Sequence, residues 1–547
     1  MATLSSLSSK MALFAIAMFC FPYSTEASNI LFISGVGGPG SHFYTGSIIA
    51  ETLVKRGHSV TFLISDVFGH RTNSSLADIF TFETFSSTVS ISDMQKSLAA
   101  YGSSSVKGEL TGTWGWLKLW LLNTAVTAGA KALSVNSYFA GECNATLSDD
   151  ALMGRLRNAH FDIIVGDVVY PCYILIAQKL NLRYVNVMNG IIMPMAHGRL
   201  AGLPSNPAFI PEIATQYTDK MNIYERFVNV IAYGVSSLLY DHTILAPFES
   251  LKRLHGIRPE TSVFRSFGLA EIWLMNSDFS VDFPRSLTPN VILVGGLTTS
   301  PGEPLDPELE DFMNGSGEHG VVVFTVSSYF SAINATKCAS LAATFARLPQ
   351  RVVWKFEGEP PANVANNTKL VKWLPQNDLL AHPKTRALIT HAGLNGVFEA
   401  IYHGVPIVAL PMVGDQFDIL VRIEARKLGK GVDITTITED IFHEAIVEVL
   451  EDKRYKANAE KWSRIFKDQP STPRDRAADW VEVSIKYGGA HLRPKSLDLN
   501  FFQLNSIDVI AFLCSALLVL VCVVFFVMRA MCRFMCCRNK TGKLKSE

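Results

Sequence analysis

The chain has 547 residues, more than one hydrophobic core usually organises, so two or more domains are expected. Its 49 basic and 49 acidic residues balance, and 48% of the residues are apolar. Because there is no basic excess, no nucleic-acid partner is predicted. The composition is that of a globular protein with membrane elements added.

Residues 1–27 are predicted to be a signal peptide. Lys10 precedes the apolar run Met11–Phe21, and small residues around Thr25 to Ala27 offer a cleavage point. The run is too short to span a bilayer, which takes about 20 residues, and a folded domain follows at once. A retained signal anchor is the alternative.

The N-terminal domain is predicted over residues 28–285 and opens with a βαβ unit. Asn29–Val36 is a predicted strand, a helix follows to about Arg56, and Ser59–Ile64 is the next strand. The glycine loop before the helix contains a proline and lacks a convincing acidic residue after the next strand. It therefore does not match a dinucleotide-binding fingerprint.

Two polar residues of this half follow buried strands. His42 lies in the turn at the helix start, and the strand Phe161–Asp167 (FDIIVGD) ends in a carboxylate. Because parallel strands end at one edge of a sheet, such an Asp could orient a His that acts as a general base. The residues alone leave this pairing open.

Two further segments are apolar enough to line a site for an acceptor. Ser105–Leu122 contains Trp114, Trp116 and Trp120, and Thr218–Asn229 is a predicted helix of similar character. They are interpreted either as core or as an apolar mouth or membrane-facing surface through which lipophilic compounds enter.

The C-terminal domain is predicted over residues 286–490, because a shift to Pro, Gly and acidic residues between Leu297 and Gly320 marks the domain boundary. Gly320–Val326 (GVVVFTV) is too apolar to be half exposed, which indicates a central parallel strand. The further predicted elements are the strands Arg351–Phe356, Arg386–Thr390 and Val405–Leu410 and the helices Asn458–Phe466 and Asp475–Ile485. This pattern predicts a second doubly wound α/β domain.

The segment 373–399 contains groups that a nucleotide could use. Trp373 offers a flat apolar face for a base, and Gln376 has a donor and an acceptor for the edge of uracil. His391 and Asn395 bracket a glycine-containing turn at a helix start, where unpaired N–H groups favour a diphosphate. Glu399, one turn later, can accept hydrogen bonds from ribose hydroxyls.

Asp415 and Gln416 follow the next predicted strand, at the edge where open α/β sheets bind ligands. In this order the residues resemble the signature of the UDP-glycosyltransferases. The phrase HGVPIVALPMVGDQ is similar to the animal UDP-glucuronosyltransferase branch, and the resemblance extends from about residue 29 to the C-terminus.

The resemblance implies a B-type glycosyltransferase fold, that is, an α/β chain with two facing Rossmann-like doubly wound domains and a C-terminal transmembrane helix. It also implies that His42 is the catalytic base and Asp167 its partner. The residues implied to bind the UDP-sugar are Ser328, Trp373, Gln376, His391, Gly393, Asn395, Gly396, Glu399, Asp415 and Gln416. Ser327, Ala392, Gly396 and Ile419 depart from the family pattern, with Ala392 standing where Gly is usual.

The implied activity is that of a membrane-bound inverting transferase. It moves a hexosyl group, glucuronate being favoured, from a UDP-sugar to a hydroxyl of a small lipophilic acceptor. Asn276 and Ser277 stand where the glucuronosyl branch has an arginine, which leaves UDP-glucose open as donor. UDP-galactose is less favoured, because Gln416 replaces the His of galactosyl-transferring relatives. A catalytically silent UDP-sugar-binding regulator is the alternative of another class.

No cofactor other than the UDP-sugar co-substrate is predicted. The chain has no Asp-x-Asp pair to hold a diphosphate-bound metal, so no metal is required. Whether the protein forms homo- or hetero-oligomers is left open by the sequence.

A juxtamembrane segment (residues 491–508), a transmembrane helix (509–528) and a cytosolic tail (529–547) are predicted at the C-terminus. Val509–Met528 lacks charge, and basic residues follow it, which predicts a cytosolic tail. The last five residues resemble the dilysine retrieval signal of endoplasmic reticulum membrane proteins. We therefore expect a type I protein of that membrane, in contact with lipid and with lumenal catalytic domains. Sequons at Asn73, Asn144, Asn314, Asn334 and Asn366 fit this topology, whereas Asn539 would stay bare.

Three cysteines fall in the predicted lumenal body, namely Cys143, Cys172 and Cys338. Three thiols do not make a disulfide framework, so the fold is expected to depend on its core.

Overall fold

The computed structural model describes residues 27–34, 40–87, 90, 135–326, 335–412 and 414–542. Predictions on the signal peptide, the three tryptophans of residues 105–122, Ser327, Ser328, Asn334 and the last five residues lie outside the described residues. The chain divides into two compact units, Met1–Arg493 and Pro494–Glu547.

The first sheet of the larger unit contains seven parallel strands. In chain order, β1 to β7 span Asn29–Ile33, Ser59–Ser65, Thr81–Phe85, Ile163–Asp167, Arg183–Met188, Trp273–Met275 and Val291–Leu293. Their spatial order is β3-β2-β1-β4-β5-β6-β7, so the direction of strand addition reverses between β1 and β4. Ligands of open parallel sheets bind at the carboxyl ends of the strands at such a reversal.

The second sheet contains six parallel strands. In chain order, β8 to β13 span Val321–Thr325, Arg351–Lys355, Thr368–Val371, Thr385–Thr390, Ile407–Ala409 and Gly429–Gly431. The order is β10-β9-β8-β11-β12-β13, with a reversal between β8 and β11. Every residue of β4 and of β8 is buried, as expected of strands covered by helices on both faces.

Helices cover both sheets. Those of the first half are Ser41–Lys55, Val135–Ser148, Asp150–Asn158, Cys172–Leu180, Arg199–Ala201, Ile223–Leu239, Ala246–Leu254 and Val263–Phe267. Those of the second half are Pro307–Asn314, Ala335–Ala346, Gln376–Ala381, Leu394–His403, Gln416–Ala425, Glu439–Glu451, Lys453–Lys467 and Pro473–Tyr487. Short 3₁₀ segments are Asp66–Asn73, Ser75–Asp78 and Ala490–Leu492, and π-helical segments are Pro194–Gly198 and Tyr240–Leu245.

The two halves are joined by polar contacts. Arg422 on the helix Gln416–Ala425 donates from Nε to Asp282 Oδ1, 2.9 Å away in the loop after β6, and both side chains are buried. The last helix of the unit returns to the first half, where Arg183 donates to the carbonyl oxygens of Ser484 and Ile485. The predicted pair of doubly wound domains is confirmed. Strand β7 belongs to the first sheet, although it comes later in the chain than residue 285, where the N-terminal domain is predicted to end.

Two predictions change with the structure. The helix expected over Thr218–Asn229 begins only at Ile223, because Asn222 and Glu225 form a reciprocal capping box that fixes the start there. The body cysteines are not all free: Cys143 and Cys172 form a disulfide, with their Cα atoms 5.4 Å apart. It links the helix Val135–Ser148 to the start of the helix Cys172–Leu180.

The smaller unit contains the 3₁₀ segment Lys495–Asp498, the helix Phe501–Leu504 and the long helix Ile507–Gly542. Within the stretch Ile507–Met535, which is long enough to cross a membrane, an 18-residue window has a mean hydropathy of 3.2. The predicted span 509–528 lies inside this helix.

Candidate active site

His42 and Asp167 meet at the reversal point of the first sheet. His42 is the second residue of the helix Ser41–Lys55, and Asp167 is the last residue of β4. His42 Nδ1 lies 2.6 Å from Asp167 Oδ2, while Asp167 Oδ1 accepts from the backbone N–H of Val169 at 3.0 Å. Since a carboxylate only accepts, Nδ1 carries the hydrogen and Nε2 keeps a free lone pair. The His42 side chain is 37% exposed, so this lone pair can meet a substrate.

The surroundings of His42 change its basicity. Burial lowers the pKa of the imidazole, but the carboxylates of Asp167 and, more weakly, Asp415 raise it, and the net pKa lies above the ordinary 6.5. A raised pKa makes the neutral ring a stronger base.

Asp415 brings the second half of the protein to this pair. The Asp415 carboxylate lies against the loop after β5, where it accepts from the backbone N–H of Ile191. It is also close to Gly190, since a Cβ added to that glycine would lie 3.3 Å from Asp415 Oδ2. Burial raises the pKa of Asp415, and His42 opposes that rise. Its neighbour Gln416 is buried, with Oε1 accepting from the N–H of Met412 at 2.8 Å.

The helix Leu394–His403 begins beside the first half. Gly393 is its N-cap and supplies no side-chain cap, so the first N–H groups have no such partner there. Asn395 Nδ2 donates to Thr45 Oγ1 of the first half at 3.3 Å. Thr45 lies one turn after His42 on the helix Ser41–Lys55. The predicted phosphate site and the predicted base therefore lie on facing elements.

The turn before this helix has an unusual backbone. Ala392 adopts a left-handed conformation with φ of 62° and is fully buried. Burial lowers the pKa of the neighbouring His391 to about 4, so this imidazole is neutral at physiological pH.

The residues expected to bind the nucleoside lie together at the other end of this segment. Gln376 Nε2 donates to Glu399 Oε2 at 2.7 Å, and Gly396 leaves room for the Gln376 amide, since a Cβ there would lie 2.9 Å from Nε2. Burial raises the pKa of Glu399 to about 7. Trp373 is 79% exposed, so its indole presents a free apolar surface.

Further residues complete the junction of the two halves. Asn189 follows β5 directly and Asn276 follows β6 directly, and Asn276 Nδ2 donates to Asn189 Oδ1 at 2.6 Å and to Asn395 Oδ1 at 2.9 Å. The sequence indicates Asn276 only as a replacement for arginine, and it does not indicate Asn189 or Thr45 as site residues. The position of both asparagines directly after strands was the signal that could have found them.

A profile of the family described as UDP-glucoronosyl and UDP-glucosyl transferase matches residues 34–545 of this chain. The chain is 34% identical over 523 residues to UDP-glucuronosyltransferase 2A1 of Mus musculus, covering 93% of this chain and 94% of the mouse protein. It is 36% identical over 513 residues to UDP-glucuronosyltransferase 2C1 of Oryctolagus cuniculus, covering 93% and 99%.

Solved structures share the fold. The glycotransferase of kitacinnamycin superposes with a TM-score of 0.57 at 16% identity, covering 84% of this chain and all of that one. A UDP-glucosyltransferase from Polygonum tinctorium gives a TM-score of 0.54 at 17% identity, covering 84% and 99%. At these identities the likeness concerns the fold alone.

Proposed function

Since this chain belongs to the UDP-glucoronosyl and UDP-glucosyl transferase family and is a UDP-glycosyltransferase, we propose that it transfers glucuronate from UDP-glucuronate to a hydroxyl of a small lipophilic acceptor. The resemblance predicted from the sequence motif is thereby confirmed at the level of the family. Beyond the family, we propose the donor, the acceptor class and the roles of individual residues.

The contact between His42 and Asp167 is the observation that carries the proposal. An acceptor hydroxyl has to lose its proton as it attacks the anomeric carbon of the donor. His42 Nε2 takes this proton, and Asp167, 2.6 Å from Nδ1, holds the ring in the reactive tautomer and stabilises the imidazolium. Asp415 adds a second negative charge near the imidazolium.

The second half supplies the site for the donor. Trp373 stacks on the uracil, Gln376 meets its edge, and Glu399 accepts from the ribose. The start of the helix Leu394–His403 faces the diphosphate, where free N–H groups and the helix dipole stabilise the charge that leaves with UDP. Asp415 and Gln416 hold sugar hydroxyls next to the base.

Direct attack by the acceptor oxygen breaks the bond from the anomeric carbon to the UDP oxygen from the opposite side. An α-linked donor then gives a β-linked product. The configuration of the purified product, read from the anomeric proton coupling in an NMR spectrum, tests this step; an α-linked product would refute it.

UDP-glucose is the second candidate donor, because Asn276 favours it. Asn276 is uncharged and fully buried, and its amide is engaged by Asn189, Asn395 and the N–H of Gly296. It therefore offers no cation to the carboxylate of a uronic acid.

We further propose that the helix Ile507–Gly542 anchors the protein in the endoplasmic reticulum membrane with both α/β domains in the lumen. Basic residues after the apolar stretch support this orientation. In sealed microsomes, externally added protease should remove only a short C-terminal tail; digestion of the main body would contradict the orientation.

The function is tested by measuring UDP release in microsomes that contain this chain. UDP-glucuronate, UDP-glucose and UDP-galactose are offered in turn with a pool of phenolic and steroid acceptors. Activity with UDP-glucuronate is expected. Activity with UDP-glucose alone would keep the mechanism and change the donor, and UDP binding without turnover of any donor would favour a silent regulatory protein.

A further inference from the structure

Three asparagines form a hydrogen-bonded group where the two halves meet. Asn276 lies at its centre and is fully buried. Its Oδ1 accepts from the backbone N–H of Gly296 at 3.1 Å, and its Nδ2 donates to Asn189 Oδ1 at 2.6 Å and to Asn395 Oδ1 at 2.9 Å. The amide of Asn276 thus uses its oxygen and both of its hydrogens.

The backbone N–H of Gly296 determines how every amide in this group is turned. A peptide N–H can only donate, so it requires the oxygen of Asn276 on its side. The NH₂ of Asn276 then faces Asn189 and Asn395, which must both present oxygen to it. With its oxygen engaged, Asn395 turns its NH₂ the other way, and Nδ2 indeed lies 3.3 Å from Thr45 Oγ1.

We propose that Asn276 is a positioning residue that makes Asn395 present its NH₂, and not its carbonyl oxygen, to the diphosphate of the donor. This inference rests on the proposed function, in which the start of the helix Leu394–His403 holds that diphosphate. Asn395 is the second residue of this helix and lies within its first turn. An NH₂ donates to phosphate oxygens, whereas an amide oxygen at the same place repels them.

Asn276→Asp tests the inference by reversing the orientation. The new carboxylate still accepts from Gly296 but no longer donates, so Asn395 has to rotate its amide and donate to it. Thr45 does not oppose the rotation, because a hydroxyl donates as readily as it accepts. The carbonyl oxygen of Asn395 would then face the diphosphate.

Asn189→Asp is the matched control. Asn189→Asp introduces the same negative charge at the residue that is hydrogen-bonded to Asn276. The new carboxylate can still accept the hydrogen bond that Asn276 Nδ2 donates to position 189. The orientation of Asn276 and Asn395 therefore stays as it is. Comparing the two variants separates the effect of orientation from the effect of an added negative charge.

Binding of UDP and of uridine is measured on the detergent-solubilised full chain by titration calorimetry. Asn276→Asp should weaken UDP binding roughly 10- to 100-fold, the loss expected for one charge-assisted hydrogen bond, and leave uridine binding unchanged. Asn189→Asp should bind UDP clearly more tightly than Asn276→Asp does. Equal UDP affinity in the two variants, or an unchanged affinity in Asn276→Asp, would overturn the inference.

Two controls keep the outcome decisive. If the unmodified chain binds neither UDP nor uridine, the proposed function fails before the inference is reached. Loss of uridine binding in Asn276→Asp as well would indicate that this variant does not fold. Asn276→Leu then serves as the test, because this uncharged variant leaves the amide of Asn395 free to turn. Weaker UDP binding with uridine binding retained supports the positioning role, and unchanged UDP binding refutes it.

Discussion

Replacing Asp167 by Asn should reduce turnover more than replacing it by Ala, although Asn is closer in shape. In the structure, the N–H of Val169 donates to Asp167 Oδ1, and His42 Nδ1 contacts Oδ2 at 2.6 Å. In the Asp167→Asn variant, the amide oxygen has to stay with the Val169 N–H. The NH₂ then faces His42 Nδ1 and forces the imidazole hydrogen onto Nε2, where the base is needed.

The expected magnitudes differ for the two variants. With the wrong tautomer, Asp167→Asn loses most of what a general base contributes, about 10²- to 10⁴-fold in kcat. Asp167→Ala loses a charge-assisted hydrogen bond worth about 1.5–3 kcal/mol, or roughly 10- to 100-fold, but leaves the tautomer free.

The assay is kcat per UDP-binding site, measured across pH, so that a loss of folded protein does not enter the result. In the unmodified enzyme, activity should fall as the pH drops through the pKa of His42, which lies above its ordinary value. Asp167→Ala removes the charge that raises this pKa, so the acidic limb should move to lower pH. Turnover of Asp167→Asn equal to or above that of Asp167→Ala would show that the tautomer of His42 is not controlled in this way.

Three further predictions concern the proposed site and the turn beside it. UDP affinity should rise with pH through about 7 as Glu399 ionises, because a carboxylate accepts best from ribose hydroxyls; in Glu399→Gln, titrated in parallel, this component should vanish. In Ala392→Gly, the free energy of unfolding from denaturant titrations should stay within about 1 kcal/mol of that of the unmodified chain. The variant gains about 1–2 kcal/mol by relief of left-handed strain. It loses about 0.8 kcal/mol with the buried methyl group, and the added entropy of glycine in the unfolded chain also disfavours folding. A stability change beyond about 2 kcal/mol would contradict that balance. Activity should persist in EDTA, because the proposed base and diphosphate site consist of protein groups; loss of activity that Mg²⁺ restores would contradict this.

The sequence predicts the sheets well where strands contain unbroken apolar runs. Strands β4 and β8 are buried on both faces, and their runs of Val, Ile and Phe distinguish them from other segments. Strands β6 and β7 are only three residues long, too short for periodicity to delimit. The start of the helix at Ile223 depends on a two-residue capping box that an apolar pattern does not reveal.

The sequence predicts some parts of the candidate site better than others. The segment 373–416 is nearly continuous in sequence, so its order of residues indicates a nucleotide-sugar site. The contact between His42 and Asp167 joins residues 125 positions apart, and only the family resemblance singled it out from other pairings. The group of Asn189, Asn276 and Asn395 joins three segments from both halves, and nothing in the local sequence of any one of them indicates the other two.

The disulfide likewise depends on tertiary packing. Cys143 and Cys172 are 29 residues apart and lie on different helices, so their pairing depends on how these helices pack against the first sheet. An odd number of candidate cysteines gives no pairing by itself.

The most direct test of the mechanism is turnover in His42→Ala beside His319→Ala, which removes an exposed histidine from a turn outside the site. Both variants should bind UDP with the affinity of the unmodified enzyme, because neither side chain contacts the proposed nucleotide site. Turnover with the preferred UDP-sugar should fall at least about 100-fold in His42→Ala and stay unchanged in His319→Ala. Full turnover in His42→Ala would contradict the assignment of His42 as the base and, with it, the account of how this enzyme transfers sugar.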